Sequence, residues 1–168
     1  MRKLSIILIA FITTMSAFSQ GKDVVDIAAG STDHTTLVAA VKAAGLVETL
    51  KGSGPFTVFA PTNAAFDKLP AGTVEELLKP ENKARLAEIL TYHVYSGNLD
   101  AAAVMSAISD GNGKAELTTV SGGKLTASLD MGKVKLTDES GNTAFVTATD
   151  LKGTNGIIHV IEGVVLPE

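Results

Sequence analysis

The residues of this 168-residue chain with the widest chemical range are its three histidines, His34, His93 and His159. Imidazole can ligate a metal, shuttle a proton or orient a nucleophile, and each role needs partners at fixed spacing. None of the three stands in an HxH or HExxH pattern, and no cysteine is present to complete a thiolate set. His159 and Glu162 could be drawn as a base and its orienter. On a strand, however, side chains three apart point to opposite faces, which separates them. No Gly-x-Ser-x-Gly elbow occurs. The acid pairs Glu75-Glu76 and Asp138-Glu139 fall at a helix start and a turn, where solvated carboxylates are ordinary. The sequence therefore predicts no catalytic residue, no metal site and no cofactor. His93 and His159 are expected to be partly buried and hydrogen-bonded, with His34 solvated beside a helix cap.

Bulk properties narrow the partners. Met1, Arg2 and Lys3 precede an apolar run over residues 4–12, and Ala17-Phe18-Ser19 is a small-x-small site. That pattern predicts a secretory signal peptide over residues 1–19 and a single domain over residues 20–168. The run is too short to span a bilayer, so no stable membrane insertion is expected after cleavage. Losing Arg2 and Lys3 leaves 12 of the 14 basic residues against 18 acidic ones, which moves the net charge from −4 to about −6. Nucleic-acid affinity needs a basic footprint, and polybasic membrane docking needs the same, so neither partner is expected. A secreted or periplasmic chain without cysteine draws its stability from its core. Roughly 150 residues can bury about two-thirds of their surface, which suffices.

One stretch organises the rest. Residues 56–60 form a β-branched and aromatic run bounded by Gly54-Pro55 and Pro61, which reads as a buried strand ending at the proline. Thr62 or Asn63 then caps a short helix carrying Ala64, Ala65 and Phe66. Before it, residues 23–29 and the stripe Leu37, Val38, Val41 and Ala44 read as short amphipathic helices, with Gly30 and Gly45 as stops. After it, Thr73 and Glu76 have capping-box spacing, and Leu86, Ile89 and Leu90 line one helical face. Residues 91–95 favour a strand, which would turn Tyr92 and His93 to opposite faces. Asp100 caps a helix whose Ala101, Val104, Met105 and Ile108 face inward. From Lys114 onward the pattern alternates, with hairpin turns at residues 121–124, 130–133 and 139–142. Asn155-Gly156 leads into an apolar run over residues 157–166. Helices in the first half and hairpins in the second predict an α+β domain with a β-sandwich-like core.

Three segments in this order resemble the signature of the fasciclin domain: residues 54–66, Tyr92-His93-Val94, and residues 155–167. The resemblance covers one such domain from about Asp23 to the C-terminus, and the leader and single small domain give it a bacterial cast. It implies a wedge-shaped α+β core and a role in adhesion without turnover. The partner would be a protein or an extracellular polymer at the cell surface or in the matrix, and self-association is a further expectation. It places packing and adhesion roles on Tyr92 and His93; by residue type, Tyr92, Tyr95 and exposed members of the first two helices are the expected anchors of an interface. Phe59, Pro61, Thr62, Asn63, Phe66, Asn155, Gly156, His159 and Gly163 carry the family motif in a mainly structural capacity. A small-ligand or lipid-binding module is the alternative, since a domain of this size can hold an apolar pocket. An enzyme would need a polar constellation around His93 or His159.

Overall fold

The computed structural model of the protein describes residues 21–167, so the expected signal peptide lies outside the described residues. The first helical layer comprises α1 (Val24–Ala29), a 3-10 turn (Thr32–His34), α2 (Thr35–Ala44) and α3 (Val47–Leu50). Asp23 caps α1 by accepting the Asp26 N–H at 2.8 Å, and Asp26 accepts the Asp23 N–H in return at 3.4 Å. Lys51 Nζ bridges both carboxylates, at 2.9 and 2.7 Å. Gly45 closes α2 in the left-handed region at φ 73°, as its place after the apolar stripe predicts.

The chain then alternates between strands and helices. β1 (Phe56–Pro61) leads into α4 (Asn63–Asp67), α5 (Thr73–Leu77) and α6 (Lys83–Tyr92), followed by β2 (Val94–Ser96) and α7 (Ala101–Asp110). The remainder is β3 (Lys114–Thr118), β4 (Lys124–Asp130), β5 (Lys133–Thr137), β6 (Thr143–Lys152) and β7 (Gly156–Ile161). Three local expectations are corrected here. The residues expected to form a strand from Thr91 continue α6 through Tyr92, and only Val94 begins to pair. Thr73 is the first residue of α5 and not its cap, because Gly72 takes that position at φ 84°. Met105 on α7 is 43% exposed, whereas Val104 and Ile108 face the core.

All seven strands belong to one sheet in the order β2-β1-β7-β6-β5-β4-β3. β1 and β7, second and third from one edge, run parallel, and every other pairing is antiparallel. The sheet curls until its two ends nearly meet. Tyr95 bridges to Thr119, and the Val120 N–H donates to the Val94 carbonyl at 2.8 Å. The sandwich-like core is thus made by one sheet facing itself. Alternation along β1 and β7 separates two cores. Phe59 and Ile161 point into the curl beside Leu125 and Leu136, while Val58, Ala60 and Ile158 point outward against the helices.

Pairing does not stop before Pro61, because the proline has the right parity. Phe56 and Thr62 donate to β7, at the Asn155 and Ile161 carbonyls, whereas Phe59 donates to the other side, at His93. Pro61 shares the parity of Phe59 but lies beyond the end of β2, so its missing N–H leaves no carbonyl unpaired.

Candidate functional site

The Tyr92-His93 pair sits where α6 ends, and its geometry follows from that. Tyr92 is fully buried in the inner core, and its hydroxyl donates to the Lys124 carbonyl at 2.6 Å. Gly123 lies against the ring, where a Cβ would approach Tyr92 to 2.6 Å. His93 is the helix C-cap and is also buried. Its Nδ1–H donates to the Ile89 carbonyl at 2.8 Å, and Nε2 accepts the Val165 N–H at 3.3 Å. Those two partners require the neutral ring with its proton on Nδ1. Burial pushes its pKa down to about 4, against the opposing pulls of the Ile89 carbonyl and the Asp138 carboxylate. The expectation that one member of the pair faces outward is therefore corrected, since a helix end, unlike a strand, turns both into the interior. Tyr95, half-buried on β2, packs on the inner core and covers Gly97.

The other two histidines are interior as well. His159 Nε2–H donates to the Leu99 carbonyl at 2.7 Å, and its ring stacks on Phe59 with centroids 5.8 Å apart. Its Nδ1 is enclosed without a hydrogen-bond partner. His34, expected in solvent, is only 5% exposed and bonds to the Ser31 hydroxyl through Nδ1 at 2.8 Å. Burial holds its pKa below the ordinary histidine value, with Asp33 and the Ala60 backbone acting the other way. Among the described residues no three His, Cys, Asp or Glu side chains converge as a metal site.

The motif residues act as ties between distant segments. Asn155 Nδ2 donates to the carbonyls of Leu50 and Gly52 at 2.7 and 2.9 Å, while Oδ1 accepts the Val24 N–H at 3.0 Å. One side chain thereby joins α1, the end of α3 and the start of β7. Gly156 follows because any Cβ there would strike the Phe56 carbonyl. Gly163 is similarly confined, with Ala144 and Thr143 at 3.0 Å from a Cβ. Asn63 Oδ1 accepts the Thr36 N–H at 3.0 Å, and Nδ2 donates to the Thr32 carbonyl at 2.9 Å, which fixes α4 to the start of α2. Thr62 caps α4 by accepting the Ala65 N–H at 3.2 Å, and Phe66 packs on the helical core.

Two features were missed in the sequence. Asp138, read as a solvated turn carboxylate, is buried and accepts from the Asn142 N–H, the Asn142 side chain and the Leu166 N–H at 2.7 to 2.9 Å. The spacing of Asp138 and Asn142 around Gly141 could have signalled that turn. The second is an aliphatic groove of about 60 Å³ between α1, α2, α3 and the outer faces of β1 and β7. Val58 and Ile158 line its base, Val25, Val38 and Val47 stand at its half-buried rim, and His93 closes its far end.

These ties gather around the three segments whose order suggested a family, and comparison with known proteins decides it. The pattern of the Fasciclin domain matches residues 32–167. The chain belongs to the fasciclin domain family. It is 49% identical over 156 residues to Protein sll1483 of Synechocystis sp., covering 93% of this chain and 79% of that protein. It is 35% identical over 158 residues to Immunogenic protein MPB70 of Mycobacterium bovis, covering 90% of this chain and 73% of the relative. A match to transforming growth factor-beta-induced protein ig-h3 of Sus scrofa is 37% identical over 144 residues, spanning 86% of this chain but 19% of that protein. Among solved structures, a FAS1 domain pair from the insect cell adhesion molecule fasciclin I aligns with TM-score 0.74. That alignment has 19% identity and covers 86% of this chain and 51% of the other, which shows a shared fold. Among the described residues no helix is long and apolar enough to cross a membrane.

Proposed function

We propose that this fasciclin domain is an extracytoplasmic adhesion or interaction module that holds a protein or a cell-surface or matrix polymer without turning it over. The observation that carries this reading is where the ring-bearing polar groups are used. Tyr92, His93 and His159 each bond a backbone group inside the domain, so they act as struts and none offers a polar atom to a substrate. The fold of an insect cell adhesion molecule supports the same reading. The leader-like start of the sequence supports export to the periplasm, the cell surface or the medium.

Contact then falls to the surface. Tyr95 keeps part of its ring accessible, and the hairpin joining β4 to β5 presents Leu129 at 43% and Met131 at 98% exposure. Aromatic and large apolar side chains of this kind anchor interfaces. The test is a bead-adhesion assay in which the purified protein, coated on beads, meets cells of the source organism, purified envelope polymer, or identically coated beads. Adhesion above albumin-coated beads, lost in a Tyr95→Ala or Met131→Asp protein of unchanged circular dichroism, supports the proposal. Adhesion no greater than albumin in all three settings would sink it.

A further inference from the structure

The groove between the helical layer and the sheet goes beyond adhesion. Its walls are aliphatic from base to rim, and the one polar ring at its far end, His93, already has both nitrogens engaged by Ile89 and Val165. A water molecule needs two to four polar partners to stay in such a space, so a cavity of this kind excludes water and accepts apolar guests. The void of about 60 Å³ is narrow and suits the end of one alkyl chain, not an aromatic ring or a helix.

Charge at the mouth selects the head. Lys42 lines the groove and is exposed. Lys22 Nζ lies 4.0 Å from the position a Cβ would take on Gly30, beside the lining residue Ala29. The ion pairs among the described residues use Lys51, Lys124 and Lys135, and neither Lys22 nor Lys42 forms one. Asp23 and Asp26, the nearest acids of α1, are both held by Lys51. An uncommitted ammonium group on the wall of a dry aliphatic slot complements one class of ligand. We infer that the groove binds a free, single-chain anionic amphiphile, with the last carbons of its tail against Val58 and Ile158 and its carboxylate or phosphate at Lys42.

The experiment is a methyl-detected NMR titration of the purified protein with sodium decanoate below its micelle concentration. Decanol and decyltrimethylammonium serve as head-group controls of the same chain length. The expected result is saturable shifts of the Val38, Val47 and Ile158 methyls, with decanoate the tightest of the three. Across a series from butanoate upward, affinity should rise about fourfold per methylene and then level off once the void is full. Lys42→Glu should weaken decanoate about fivefold and leave decanol unchanged. Ala28→Leu, which fills the slot with the fold intact, should abolish the shifts. Equal affinity for the cationic and anionic amphiphiles, or indifference to Lys42→Glu, would overturn the assignment of the head group. Absence of saturable methyl shifts, or their survival in Ala28→Leu, would overturn the site itself.

Discussion

The two cores of this domain differ in how their interior side chains are used. Inside the curled sheet, apolar packing is stitched by polar side chains that reach far along the chain: Tyr92 to Lys124, and His159 to Leu99. His93, at the boundary, reaches Val165. In the helical layer the side chains of Leu37, Val41, Leu50 and Ile158 meet through aliphatic contact, the polar ties come from Asn155 and Asn63, and a groove remains. A hydrogen bond fixes direction as well as distance, whereas dispersion between methyl groups is tolerant of displacement. The difference separates tasks. The inner core specifies one arrangement of strands, and the outer layer has room to receive something.

Mutations that truncate each core sharpen this contrast. Tyr92→Ala should cost the most, about 4 kcal/mol in urea unfolding, because it empties a fully buried aromatic site and leaves the Lys124 carbonyl unpaired. Leu37→Ala, in the wall beside the groove, should fall at the low end for such truncations, about 2 kcal/mol. Equal losses at the two positions would erase the distinction between the cores.

Acid should act on the boundary between them. Unfolded histidine titrates near 6.5, whereas His93 in the fold is held down to about 4. As pH falls below 6.5 the unfolded chain takes up this proton first. Stability from the neutral ring is therefore complete above pH 6.5 and declines toward pH 4, by about 3 kcal/mol in all. Urea midpoints at pH 7 and pH 4.5 should diverge less in His93→Gln, whose amide can still donate to Ile89. An unchanged divergence would assign the acid sensitivity to other groups.

The smallest effect should be a gain. Met131 and Gly132 have φ of 50° and 78°, the handedness of a turn that favours Asn-Gly. Met131→Asn should stabilise by about 0.5 kcal/mol in thermal melts, while removing the most exposed apolar side chain on the hairpin. A loss of stability would mean that Met131 packs on something in solution.

Much of the framework was legible because it is local. The Asp100 cap, the Gly45 stop and the hairpin turns each follow from a few adjacent residues. So does β1, whose bounding glycine and prolines mark it in the sequence. Legibility failed where a residue's surroundings come from elsewhere in the chain. Tyr92-His93 has strand-like composition, yet α6 extends over Tyr92 because the helix packs Leu86, Ile89 and Leu90 against the domain and carries the next residues with it. His34 and Asp138 look solvated until segments distant in sequence cover them. The groove left no local mark, since its lining comes from four helices and three strands.

The parallel ladder between β1 and β7 has one more consequence. Phe56 pairs with Gly156, two residues 100 positions apart, and the terminal strand β7 sits between β1 and β6. Without β7 the two halves of the sheet stay apart. Closing so large a loop before its contacts repay the entropy makes assembly slow and all-or-none. A polypeptide still emerging from the ribosome would hold its first strand against β2 alone, with the other edge open, until β7 is made. The domain is thus kept in a loose, threadable form until β7 is made, and that strand decides when it becomes a solid body.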